Sequence, residues 1–154
     1  QRVSSTLVRE FLQQGNFGRA SELLGRPFSI KGRVVYGQQL GREIGFPTAN
    51  VNLNRYSAPL SGVYAVRVDA GGVEYIGAAN VGVRPTVGDL VKPILEVHLL
   101  DFQGDLYGQR IDVRFEKKIR DEQKFVNVGK LIKMIKQDIK QIRTWVSGLD
   151  ESIN

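Results

Sequence analysis

Within a β-like stretch from residue 28 to about 115, residues 94–100 alternate apolar and polar side chains, and this period of two dictates extended chain. Leu95, Val97 and Leu99 fall on one side of such a chain, and Glu96 and His98 on the other. Residues 110–116 alternate in the same way. Ile111, Val113 and Phe115 turn inward, while Asp112, Arg114 and Glu116 turn outward. Residues 29–36 carry a β-branched run through Ile30, Val34 and Val35. Residues 62–69 read as a strand, Ala70-Gly71-Gly72 as a turn, and 73–79 as its hairpin partner. No helical stretch separates successive strands, which argues against a parallel βαβ fold. Five or more short strands with Gly and Pro turns leave a closed barrel or a sandwich.

The two ends of the chain have helical periodicity. Leu7, Val8, Phe11 and Leu12 form a stripe after the capping run Ser4-Ser5-Thr6, and Gly15-Asn16 interrupts it. A second short helix carries Phe17, Ala20, Leu23 and Leu24 and stops at Gly25. Near the C-terminus, Val128, Leu131, Ile132, Ile135, Ile139, Ile142 and Trp145 recur every three or four residues. Asn127 can cap this helix, and Gly148 suggests its end, giving an expected span of 128–146. Lys133, Lys136, Lys140 and Arg143 form another face, which reads as a solvated helix surface or as a nucleic-acid stripe.

The 154 residues suffice for one self-sufficient core. The absence of Cys excludes disulfides, thiolate catalysis and zinc sites built on Cys, and a single histidine, His98, excludes a multi-histidine metal site. No apolar run approaches the ~20 residues of a membrane span. A cytoplasmic protein without membrane contact is therefore expected. The net charge of +6, from 22 Lys and Arg against 16 Asp and Glu, reads as attraction to an anion or as a basic solvated surface.

The chemistry concentrates in residues 37–50. Gly37, Gly41 and Gly45 are four apart, and such glycines let backbone N–H groups approach a phosphate. No Gly-Lys-Ser/Thr follows, so this is not a Walker A loop, and the spacing is not that of a dinucleotide fingerprint. A plain turn remains the alternative for the glycines alone. Pro47 biases Phe46 toward extended backbone, so Thr48 and Asn50 point the same way. Their hydroxyl and amide oxygens are neutral hard ligands that Mg²⁺ accepts when phosphates complete its shell. An ST- or Asx-turn is the alternative for this pair. Glu96, on the polar face of an apolar strand, can serve as a general base for an alcohol or lie in an ion pair. His98, on the same face, can assist or act as a hydrogen-bonded spacer. Arg120 and Phe125 could hold one end of a flat ring by charge and stacking, or be a surface Arg and a core Phe. No single residue declares itself as a cation to clamp a phosphate, and Arg42 and Arg84 are the candidates.

The run Gly41-Arg42-Glu43-Ile44-Gly45-Phe46-Pro47-Thr48-Ala49-Asn50 resembles the signature of riboflavin kinase. Further segments match in order: Gly62-Val63-Tyr64, Asn80-Val81-Gly82-Val83-Arg84-Pro85-Thr86, Glu96-Val97-His98-Leu99-Leu100-Asp101-Phe102 with Asp105-Leu106-Tyr107-Gly108, and Arg120-Asp121-Glu122-Gln123-Lys124-Phe125. The resemblance covers residues 24–145 and is nearest to the C-terminal kinase module of bacterial bifunctional riboflavin kinase/FAD synthetases. Ser4-Ser5-Thr6-Leu7-Val8-Arg9 resembles the motif that closes the adenylyltransferase domain of those enzymes. Residues 1–22 are accordingly expected to be the residual helical end of an N-terminally fused adenylyltransferase, and 23–150 the kinase domain.

The resemblance implies a mostly β fold: a small closed antiparallel barrel of about six strands, Greek-key in type. The C-terminal helix packs outside it, and the short N-terminal helices are only loosely attached. It implies ATP-dependent phosphorylation of riboflavin at the ribityl 5′-hydroxyl, giving FMN and ADP, with Mg²⁺ accompanying ATP and no permanently bound metal. Glu96 is then the catalytic base. Gly37, Gly41, Arg42, Gly45, Thr48, Asn50, Asn80 and His98 bind the nucleotide, Thr48 and Asn50 also holding the metal. Tyr107, Arg120, Glu122 and Phe125 bind the flavin. The rival is a basic β-barrel that binds flavin or nucleic acid without kinase activity. It leaves the Pro-Thr-Ala-Asn run unexplained, and no aromatic stripe suits nucleic acid.

Overall fold

The computed structural model describes residues 5–35, 40–53, 60–85 and 91–153. Helices α1 (Ser5–Gln14) and α2 (Phe17–Leu24) precede strand β1 (Ser29–Val35). A short α3 (Leu40–Glu43) and β2 (Ala49–Val51) follow. Then come β3 (Gly62–Ala70), β4 (Val73–Pro85), β5 (Val91–Leu99), β6 (Arg110–Arg120) and α4 (Val128–Ile153). The strands close into a barrel in the order β1-β2-β5-β4-β3-β6, and all neighbours are antiparallel. β3, β4 and β5 form a meander, and β6 returns to lie beside β3, which is the Greek-key connection.

The expected alternation holds. Leu95, Val97, Leu99, Ile111, Val113 and Phe115 are buried in the barrel interior, together with Ile30, Val66 and Val68. The hairpin turn falls on Gly71-Gly72, both at positive φ, and the Asp69 carboxylate accepts a bond from the Gly72 N–H at 3.1 Å. Tyr64 is fully buried, and its hydroxyl accepts from the Ser61 N–H at 3.0 Å and donates to the Ser61 carbonyl at 3.1 Å. Burial pushes its phenol pKa up.

The N-terminal helices are not loose. Phe17 packs against Phe28, Tyr64 and Phe115 at centroid distances of 6.3, 5.7 and 6.0 Å, and Val8, Leu12 and Ala20 join the same core. The apolar stripe of this segment is thus satisfied by the barrel itself. Asn16 caps α2, and Gly25 ends it at φ 72°. α4 packs on the outside of the barrel through Ile139, Ile142 and Trp145, against Ala65, Ile76, Ala78 and Leu100. Asn127 caps it as expected, accepting from the Lys130 N–H at 2.9 Å. Its end differs from expectation: it runs through Gly148 to Ile153. No helix among the described residues is long and apolar enough to cross a membrane.

Candidate active site

The register of five neighbouring strands aligns one row of residues across the outer face of the barrel. Asn50 on β2 pairs with Glu96 on β5, Glu96 with Asn80 on β4, Asn80 with Val63 on β3, and Val63 with Arg120 on β6. Directly paired side chains stand roughly 5 Å apart on one face, so five strands deliver an amide, a carboxylate, a second amide, a valine and a guanidinium in sequence. Leu95 and Val97, which flank Glu96, anchor its strand in the core at 1 % exposure each. The base candidate is therefore rigidly mounted and half-buried.

Two cavities meet along this row. The first, about 260 Å³, lies between the sheet and α4. Val63, Ala78, Leu131, Ile135 and Ile139 make much of it apolar, and Asn80, Glu96, His98, Arg120, Glu122 and Phe125 supply polar and aromatic groups. The Asn80 amide oxygen is buried and has no hydrogen-bond partner among the described residues. An unmet acceptor of this kind is costly unless a ligand or water meets it. The second cavity, about 370 Å³, is lined by Arg42, Pro47, Asn50, Leu99, Gln103, Asp105 and Tyr107, among others. Thr48 lines both.

The loop of residues 101–109 forms one wall of the second cavity. β1 holds it through the Arg33 guanidinium on the Gly108 carbonyl (2.7 Å), the Gly108 N–H on the Val34 carbonyl (2.9 Å) and the Val34 N–H on the Gln109 carbonyl (2.9 Å). At its start Asp101 adopts φ 57°, and its carboxylate accepts two bonds from Arg143 of α4 at 2.9 and 3.0 Å. This pairing holds the Asp101 carboxyl below the usual carboxylate range.

The Pro-Thr-Ala-Asn segment is tied to β5. His98 Nδ1 lies 2.8 Å from the Pro47 carbonyl oxygen, and the Phe46 ring meets the imidazole edge-on at 5.8 Å. A carbonyl only accepts, so Nδ1 carries the proton. Gly45 turns the chain out of α3 at φ 93°, a conformation that glycine adopts without strain. Gly41 and Arg42 lie within α3, and Arg42 lines the second cavity.

Arg120 lines the first cavity with Glu122 and Phe125, as grouped from the sequence, and it is also engaged by a helix. Its guanidinium forms a bidentate pair with Asp138 of α4, Nε to Oδ1 and Nη2 to Oδ2 at 2.9 Å each. Nη1 donates to the Asp121 carbonyl at 3.2 Å, and the guanidinium lies 5.6 Å from the centroid of the Phe125 ring. Asp138 is only 5 % exposed. Its carboxylate was missed in the sequence, although the signal exists: it interrupts the apolar stripe between Ile135 and Ile142, where a charge needs a partner. Gly62, at φ 129°, carries no Cβ, and this lets the backbone of Arg120 and Asp121 pass directly over β3. The Glu122 carboxylate likewise sits against Gly82.

The expected groupings are partly rearranged. Thr48, Asn50 and Arg42 come together at the second cavity. Asn80 and His98, expected to bind the nucleotide, line the first cavity, because they share the outer face of β4 and β5 with Glu96. Tyr107, expected with Arg120, Glu122 and Phe125, lines the second, because its loop folds back on β1. Gly37, Thr86 and the Arg84 side chain lie outside the described residues. Among the described residues no cluster of His, Asp and Glu could hold a metal ion. The donor pair Thr48 and Asn50 at the second cavity, a hydroxyl and an amide oxygen, carries no charge. It suits a hard cation that arrives on phosphate oxygens rather than one held by protein alone.

The profile of the flavokinase family, described as riboflavin kinase, matches residues 24–146. The bifunctional riboflavin kinase/FMN adenylyltransferase of Pseudomonas fluorescens is 53 % identical over 92 % of this chain and 46 % of its own length. That of Bacillus subtilis is 41 % identical over 97 % of this chain and 48 % of its own. The chain thus spans about half the length of these curated relatives. A crystal structure described as a macrolide-efflux protein from Streptococcus pneumoniae has a TM-score of 0.83 at 38 % identity, over 94 % of this chain and 47 % of that one. Riboflavin kinase from Trypanosoma brucei has a TM-score of 0.54 at 28 % identity, over 79 % and 80 %. With four-fifths of its length inside the family profile, its six strands closed as a barrel and the Pro-Thr-Ala-Asn segment set beside Glu96, the chain belongs to the riboflavin kinase family.

Proposed function

We propose that this chain transfers the γ-phosphoryl group of ATP to the 5′-hydroxyl of riboflavin, giving FMN and ADP. The observation that carries the reading is the junction of two unlike cavities at Thr48, with Glu96 paired to Asn50 beside it. A flat, largely apolar ring suits the first cavity, bounded by α4 and Phe125. A polyphosphate suits the second, where Arg42 offers a cation and Thr48 and Asn50 offer oxygens. Tyr107, on that side, then faces the nucleotide rather than the flavin.

Phosphoryl transfer asks a protein mainly for positioning and charge neutralisation. Thr48 and Asn50 would hold the Mg²⁺ that accompanies ATP, which supplies charge neutralisation on the phosphates when bound. Glu96 orients the ribityl hydroxyl from the flavin side and accepts its proton as the oxygen bonds to the γ-phosphorus. The bond from that phosphorus to the β–γ bridging oxygen breaks, and ADP carries the electron pair away. His98 acts through Pro47, fixing the segment that bears Thr48 and Asn50. Asn80 offers its unmet amide oxygen to a donor on the flavin or its ribityl chain. The names of the curated relatives further suggest that this chain works beside an adenylyltransferase that consumes the FMN.

The test is incubation with riboflavin, ATP and Mg²⁺, followed by chromatography. The reading expects FMN and ADP in equal amounts and no FMN without Mg²⁺. Flavin binding without FMN formation would favour a non-catalytic flavin barrel.

A further inference from the structure

We propose that Asp138 is a positioning residue for the flavin: by locking Arg120, it sets the wall formed by residues 121–125. This inference rests on the reading of the first cavity as the flavin site.

The observations converge on one side chain. Asp138 lies on the barrel-facing side of α4, one turn from Ile135 and Ile142, where an apolar residue would pack without desolvating a charge. Its carboxylate accepts hydrogen bonds from both Nε–H and Nη2–H of Arg120, which uses the planar fork of the guanidinium fully on that edge. The remaining edge donates through Nη1 to the Asp121 carbonyl, and the guanidinium face covers the Phe125 ring. All three guanidinium nitrogens of Arg120 are thus engaged by protein acceptors, although the residue also lines the cavity. Its donors hold α4 on one side and the chain at Asp121 on the other.

That chain needs holding. β6 ends at Arg120 and α4 begins at Val128, so residues 121–127 have no ladder of their own. Both Glu122 and Phe125, which line the cavity, project from this stretch. A second tether, Lys118 Nζ to the Asp121 carboxylate at 2.7 Å, grips a side chain that is 89 % exposed, where ion pairs contribute little. The Asp138–Arg120 pair has side-chain exposures of 7 % and 19 % and is much less screened. A buried pair of this kind often adds no net stability over an apolar pair of similar volume. Its presence inside a ligand cavity fits a role in orienting the wall.

The test compares wild type, Asp138→Asn and the double variant Arg120→Met with Asp138→Leu. FMN affinity is read by quenching of flavin fluorescence, and MgADP affinity by calorimetry. Asp138→Asn is expected to weaken FMN by about tenfold, a 1.4 kcal/mol effect. MgADP affinity should hold within about twofold, and KM for riboflavin should rise while KM for MgATP does not. The double variant removes the buried charges together and should melt near wild type, yet still bind FMN about tenfold more weakly. FMN binding at wild-type strength in the double variant would overturn the proposal and leave the pair a packing element only. Equal weakening of FMN and MgADP in Asp138→Asn would overturn it in favour of general loosening. Failure of the wild-type protein to bind FMN would overturn the flavin reading of the cavity along with it.

Discussion

Glu96 owes its chemical position to the strand that carries it. Its neighbours Leu95 and Val97 are locked in the core, so its side chain faces outward into the first cavity. Glu96→Gln keeps shape and reach but cannot take a proton. Turnover should fall by roughly 10²–10⁴, with FMN and MgADP still bound, as followed by FMN formation at saturating substrates. Thr48→Ala and Asn50→Ala should each weaken MgADP in calorimetric titration while thermal melting stays near wild type, because neither side chain belongs to the core. Tyr64 is the opposite case. Tyr64→Phe removes the hydroxyl that serves both Ser61 backbone groups, and should cost about 1 kcal/mol in urea denaturation. At this scale Glu96, Thr48 and Asn50 were legible, because alternation and a proline fix where a side chain points. The Arg120 pairing was not, since its partner lies 18 residues away on a helix that only the tertiary fold brings near.

The helix α4 and the loop of residues 101–109 meet through Arg143 and Asp101. The Asp101 carboxyl is held below its usual range, first by the hydrogen bonds from Arg143 and then by its charge. A depressed carboxyl contributes stability above its unfolded pKa and loses it as pH falls through the folded one. The wild-type melting temperature should therefore decline on acidification below about pH 4, and Asp101→Asn should flatten part of that decline. MgADP should slow hydrogen exchange in residues 101–110 if that loop walls the nucleotide cavity. Strands β5 and β6 were readable because their period of two is unbroken. α3 was not, since four residues carry no periodicity. α4 outran its expected end because Gly148 is solvent-exposed, and one such glycine costs a helix only about 1 kcal/mol.

Across the whole molecule, the antiparallel register of β2, β5, β4, β3 and β6 is what turns five separate strands into one row of functional groups. No local pattern announces that Asn50, Glu96 and Asn80 are adjacent; the register does. The same holds for the N-terminal helices, whose stripe was legible but whose firm attachment to the barrel, against the expected loose one, was not. Phe17 finds its partners in Phe28, Tyr64 and Phe115 of the barrel. The central claim is that two cavities meeting at Thr48 hold flavin and nucleotide at the same time on one chain. Calorimetric titration of MgADP into protein already saturated with FMN tests it most directly. The account predicts one MgADP per chain, bound at least as tightly as without FMN. An apparent MgADP dissociation constant that climbs in proportion to FMN concentration would mean that the two compete for one cavity, and would contradict it.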